Sequence, residues 1–208
     1  MAHNTSSEEG EIRDAAIAWG RRRWPDARVV NELVVGHACR IDVAFISPAH
    51  LAGIEIKSSK DTLDRLETQL RVFTGHIPEV WLAFAPKWLS KISAAGVPWN
   101  VGQLLFNGGC VDEEIPHGGI GHRYRRPARP DECLTIQLLD ILWRDELHAV
   151  ANTHDLKPRA KAPIAEVRKL LVRKLTGEQI IAGVCTELRG RDAKWVADPP
   201  IGRIHSHV

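Results

Sequence analysis

A mixed α/β sandwich, with helices covering a central sheet, is the fold class this 208-residue sequence predicts. Three observations carry that expectation. Three short β-rich runs, Val29 to Val35, Arg40 to Ile46 and Leu51 to Ile56, follow one another across turns of Gly, His and Pro, as in an antiparallel meander. Val80 to Ala85 is continuously apolar between Pro78 and Pro86, the pattern of a strand buried on both faces. Stretches with helical apolar spacing flank these runs.

Taken in order, residues 11 to 23 predict a helix with Ile12, Ala15, Ala16 and Trp19 on one side and Glu11 in its first turn, closed by Pro25. After the three strands, Asp61 has the form of an N-cap, and Leu63, Leu66, Leu70 and Phe73 make an apolar stripe for a helix ending near Thr74. Trp88 to Ala95 predicts a further short helix, and Val101 to Phe106 another strand. Asn107 to Pro130, rich in Gly, Pro and charge, predicts irregular edge strands. Its glycines, Gly118 to Gly121, follow no buried strand and open no helix, so they make no phosphate-cradling loop. From Thr135 the pattern is helical, over about 137 to 153, 163 to 175 and 177 to 189. The expected organisation is a domain over residues 8 to 130 and a helical C-terminal extension over 131 to 208.

Composition is that of a soluble globule, 44% hydrophobic and 26% charged. The net charge of +2 conceals an asymmetry: residues 1 to 119 hold 12 Lys and Arg against 15 Asp and Glu, and the remainder 16 against 11. A mildly basic second half suits a polyanionic partner, although a solvated surface accounts for it equally. Cys39, Cys110, Cys133 and Cys185 are far apart and show neither metal-ligand spacing nor a compact disulfide framework, so they read as reduced thiols. Met1 to Gly10 is polar and acidic, unlike a signal peptide, and no run is long enough to span a membrane. A cytoplasmic protein without membrane contact is the expectation, and a homodimer stays open. The tryptophans are scattered, with Trp19, Trp81 and Trp143 read as core anchors.

The informative chemistry lies in Arg40-Ile41-Asp42-Val43-Ala44 and Gly53-Ile54-Glu55-Ile56-Lys57-Ser58-Ser59. Strand alternation puts Glu55 and Lys57 on one face and Ile54 and Ile56 on the other. Pairing through Ser47 to His50 brings Asp42 beside Glu55. Two adjacent carboxylates repel unless a cation lies between them, and Mg²⁺ or Mn²⁺ suits an all-oxygen site. On this reading Asp42 and Glu55 hold the metal, the carbonyl of Ile56 adds an oxygen, and Lys57 orients a water or neutralises charge. The competing reading is a same-face Glu55/Lys57 ion pair.

The stretch from Asn31 to Phe73 resembles the core of the PD-(D/E)xK superfamily, the restriction-endonuclease-like nucleases. The resemblance implies that Asp42, Glu55 and Lys57 take the catalytic roles and that Gln69, in Gln69-Leu70-Arg71-Val72-Phe73, matches the helix motif of exonuclease-like branches. Phe73 replaces the usual Tyr, and Ile41 stands where the motif's proline is expected. More narrowly, Ile54 to Ser58, Asp61 to Leu66 and Leu142 to Leu147 are similar to a bacterial and phage group related to DNA-repair-associated nucleases. Glu32 and Glu11 are further candidate acids for the same cleft, each with a surface carboxylate as its competing explanation.

Two basic clusters remain. Arg123, Arg125, Arg126 and Arg129 stand at the presumed cleft edge, and Arg168, Lys169 and Arg173 accompany Lys157, Arg159, Lys161 and Lys174 beside an apolar stripe. Basic residues opposite a packed stripe suit a phosphate backbone, and a solvated helical face is the alternative. The functional expectation is a restriction-endonuclease-like, divalent-metal-dependent deoxyribonuclease with DNA as its partner. Its alternatives are a catalytically silent nucleic-acid-binding module of the same fold and a protein-interaction adaptor.

Overall fold

The computed structural model describes residues 7–36, 39–113, 134–192 and 198–201. Helix α1 (Glu8–Arg23) opens on Ser7, whose side chain accepts from the amide of Gly10, and carries Glu8, Glu9 and Glu11 in its first turn, where the helix dipole favours negative charge. Strands β1 (Arg28–Val35), β2 (Cys39–Ser47) and β3 (His50–Lys57) form the antiparallel meander that the sequence predicts. Helix α2 (Leu66–His76) starts four residues later than expected. Asp61 caps no helix, because its carboxylate accepts from both the amide and the hydroxyl of Ser58 and closes a turn instead.

Strand β4 (Glu79–Phe84) joins β3 in parallel, β5 (Val101–Asn107) joins β4 in parallel, and β6 (Cys110–Glu113) closes the edge antiparallel. The result is a six-stranded mixed sheet in sequence order, β1-β2-β3-β4-β5-β6, flanked by helices. The helix expected over Trp88 to Ala95 is instead two single 3-10 turns, Pro86–Trp88 and Ile92–Ala94. The long helix expected over 137 to 153 is broken into α3 (Leu134–Leu138), a 3-10 turn (Leu139–Ile141) and α4 (Arg144–Thr153). The Glu146 carboxylate accepts from the amide of Trp143, fixing a new helix start there. Helices α5 (Ile164–Lys174) and α6 (Gly177–Gly190) follow as expected.

Register decides which helix covers which face. Trp81 pairs with Ile54, so both point one way, while Gly53 and Glu55 point the other. Helix α1 covers the Trp81 side, where the Trp19 and Trp81 rings meet edge to face at 4.7 Å. Close approach there demands missing side chains: a Cβ on Gly20 would fall 2.1 Å from the Phe45 ring, and one on Gly102 only 2.2 Å from Trp81. Helix α2 covers the Glu55 side, packing on β2 and β4, and α3 and α6 extend that layer. Trp143, expected in the core, stands 60% exposed on the surface. Cys39, Cys110 and Cys185 are free thiols, and Cys133 lies outside the described residues. Among the described residues no helix is long and apolar enough to cross a membrane.

The end of α6 is fastened by charge. Arg28, on β1 and only 1% exposed, donates to the carbonyls of Leu188, Arg189 and Arg191 at 2.7–2.9 Å and to that of Asp198 at 3.3 Å. These include helix-terminal carbonyls that have no partner within α6. Replacing Arg28 with Met removes the donor to these carbonyls, of which only that of Arg189 keeps another among the described residues, the amide of Ile201, and is expected to lower unfolding free energy by about 3 kcal/mol in urea titrations. A loss under about 0.5 kcal/mol, ordinary for a surface change, would show that the strap contributes nothing.

Candidate functional site

Four of the predicted side chains do converge. Continuing the β2–β3 register past Val43↔Ile54 sets Asp42 opposite Glu55, and Asp42 Oδ2 accepts from the amide of Ile56 at 2.7 Å. Lys57 Nζ lies 2.7 Å from Glu55 Oε1. Gln69, reaching across from α2, donates to that same oxygen at 2.9 Å. Glu55 is 2% exposed and Lys57 8%, so this is an interior cluster.

A fifth partner comes from α1. Arg13 donates to the backbone carbonyl of Asp42 at 2.9 Å and to Glu9 at 2.8 Å, and stands 3.8 Å from Asp42 Oδ1 and 3.6 Å from Glu32. Glu32 adopts a left-handed backbone, φ 54°, and its other oxygen faces Arg40 at 3.4 Å. The loop after β3 is held from three directions: Ser59 donates to Glu8, Trp88 Nε1 donates to the carbonyl of Ser58, and Lys87 donates to that of Ser59. Arg13, Glu8 and Trp88 were not among the expected site residues. Arg13 lies 29 residues from Asp42, and the only local signal was its ion pair with Glu9 one helical turn away.

Electrostatics follow from burial. Both donors that reach Glu55 use Oε1, leaving Oε2 buried without a partner among the described residues. Burial, followed by the negative charge of Asp42, pushes the Glu55 carboxyl up to about 8, against the downward pull of Lys57. Asp42 is raised as well, chiefly by burial, while the Ile56 amide and Arg13 hold it down. Ile56 meets the site through its amide proton, which Asp42 accepts. Glu11 is exposed on α1, and Glu32 is occupied by two arginines. Among the described residues, no group of three or more His, Cys, Asp or Glu side chains is placed to hold a metal ion.

Of the basic residues singled out in the sequence, Arg123, Arg125, Arg126 and Arg129 lie outside the described residues. Arg168 is turned inward, 2.5 Å from Asp140, whereas Lys169 and Arg173 are exposed.

The sequence pattern of the family described as bacteriophage P4 protein cII matches residues 2–191. The chain belongs to that family. Protein cII of Enterobacteria phage P4 is 36% identical over 151 residues, covering 67% of this chain and 57% of the relative, so the chain spans little more than half of that relative's length. Among solved structures, a protein of unknown function from Silicibacter pomeroyi is similar over 51% of this chain and 69% of its own, at 17% identity and a TM-score of 0.41.

Membership of the phage P4 cII family corrects the functional expectation. The chain is not assigned to the PD-(D/E)xK nucleases, and the deoxyribonuclease, hydrolase and metal-binding readings fall with that assignment. The physical reason is that an Asp and a Glu-x-Lys on paired strands report register and a shared face. Any hairpin can create such a cluster, and an internally balanced one needs no chemistry.

The pH consequence has a definite sign. Unfolding exposes Glu55, returning its carboxyl from about 8 to its ordinary 4.5, so the folded state binds the extra proton between those values. Stability from this group is fully present below about pH 4.5 and is lost as pH rises through 8. Glu79 and Asp198 are shifted downward, by partners that outweigh their burial, and act only in acid. The melting temperature is therefore expected to fall from pH 5 to 8.5, and Glu55→Gln to flatten that fall; a profile identical in the variant would sink the assignment.

Proposed function

We propose that this chain is a non-enzymatic regulator that works by binding, an adaptor whose effect comes from occupancy rather than turnover. The observation that carries this reading is that the donors around the buried acids are committed inside the cluster, although Glu55 Oε2 has no partner among the described residues. Lys57 and Gln69 are both committed to Glu55, the Ile56 amide to Asp42, and Arg13 to Asp42, Glu9 and Glu32. Such a cluster braces β2, β3, α1 and α2 together. Belonging to the phage P4 cII family supports the same reading.

A surface feature suits contact with another protein. Trp143 is 60% exposed, and one face of its ring rests on Arg191, 4.2 Å away. Arg191 is itself locked by Glu146 and by the carbonyl of Ile141. A large aromatic held rigid before binding loses little conformational entropy on contact, as interface anchors do. The order helix, three antiparallel strands, helix, parallel strand supports a restriction-endonuclease-like scaffold used here as a frame. The site of action in this reading is the cytoplasm.

The test is direct. Labelled duplex, single-stranded and branched DNA, incubated for hours with the protein and Mg²⁺ or Mn²⁺, is expected to be recovered at full length. Wild type and Glu55→Gln should give the same result. Metal-dependent fragments made by wild type and lost in Glu55→Gln would overturn the reading.

A further inference from the structure

We infer that the outer face of α5, with the segment 157–161 beside it, is a docking face for the phosphate backbone of duplex DNA. The inference rests on the binding reading above and names one partner for it. Residues 157 to 174 contain seven Lys and Arg against a single acid, Glu166. The structure sorts them. Arg168 faces inward to Asp140 and anchors α5, and Arg159 lies 3.3 Å from Glu166, which cancels the one acid. Lys157, Lys161, Lys169, Arg173 and Lys174 remain exposed.

These cations are arranged on a built surface. Val167 and Leu171 turn α5's apolar side into the core, so the opposite side must face outward. Lys169 and Arg173, one turn apart, line a groove of about 370 Å³ together with Pro158, Ala165 and Leu170. Lys157 and Lys161 are exposed and stand either side of groove-lining Pro158 in the chain. No aromatic residue lines it, so it has no platform on which an unpaired base could stack. Glu166 also lines the groove, paired with Arg159, so Lys169 and Arg173 leave it net cationic, and without aromatic side chains it fits a phosphate backbone and carries no means of reading sequence.

Counterion release makes the proposal quantitative. If Lys157, Lys161, Lys169 and Arg173 each meet a phosphate, the logarithm of the binding constant falls against the logarithm of salt with a slope of roughly −3.6. Removing two of them should bring the slope to roughly −1.8. The measurement is fluorescence anisotropy of a labelled duplex with the full chain between 50 and 300 mM salt, compared with Lys169→Ala/Arg173→Ala and, separately, Lys157→Ala/Lys161→Ala. All four side chains are exposed, so both variants should melt with wild type. A matching change to Lys60→Ala/Lys87→Ala, in the loop after β3 and the 3-10 turn after β4, should leave the slope alone.

Duplex binding whose slope both α5-face variants reduce supports the inference. A slope unchanged in both variants, tighter binding to single strands than to duplex, or equal affinity for vesicles containing anionic phospholipid each overturns it. Absence of duplex binding also overturns it. The non-enzymatic reading fails separately, through fragments on the cleavage gel.

Discussion

A carboxylate buried inside a sheet must be answered from nearby, and that requirement organises this molecule. Glu55 sits on β3 between two paired strands, where water cannot reach it. The fold responds with a lysine two residues along the same strand and a glutamine from α2, while the neighbouring acid Asp42 is met by the amide of Ile56. Arg13 then brings α1 to the same place from the other layer of the sandwich. Four elements meet at one polar point, each supplying a group that offsets part of the cost of burying charge in a low-dielectric interior.

The same logic recurs at the other end of the sheet. Arg28 is buried against the carbonyls that finish α6, and Asp198 returns the contact by accepting from the amide of Val29. Glu79 collects His50, Trp81 and Arg23 in a similar way. Apolar packing supplies the layers, through Trp19 on Trp81 and through Phe45 beneath Gly20. Buried polar contacts decide how those layers are aligned, because a hydrogen bond has direction and apolar contact has little.

Function separates from this geometry. Asp42, Glu55 and Lys57 converge as their spacing indicates, yet the family to which the chain belongs is that of phage P4 protein cII. Spacing on paired strands specifies proximity, and proximity serves a structural brace as well as a reactive centre. What distinguishes the two is whether the cluster's charges are already met. Here Arg13, Lys57 and Gln69 meet all but the second oxygen of Glu55, and two of these three arrive from helices.

By itself the sequence determined the local part of this protein. The meander of β1 to β3, the buried β4, the apolar stripes of α1, α5 and α6, and the shared face of Glu55 and Lys57 all follow from periodicity, which is a short-range property. Tertiary structure decided the rest. It turned Asp61 from a cap into a turn closer, split the expected helix at Trp143 and left that ring outside. It also drew Arg13 and Arg28 into contacts 29 and more than 160 residues away. Those choices depend on which buried donors and acceptors can meet in space, a condition that no window of neighbouring residues contains.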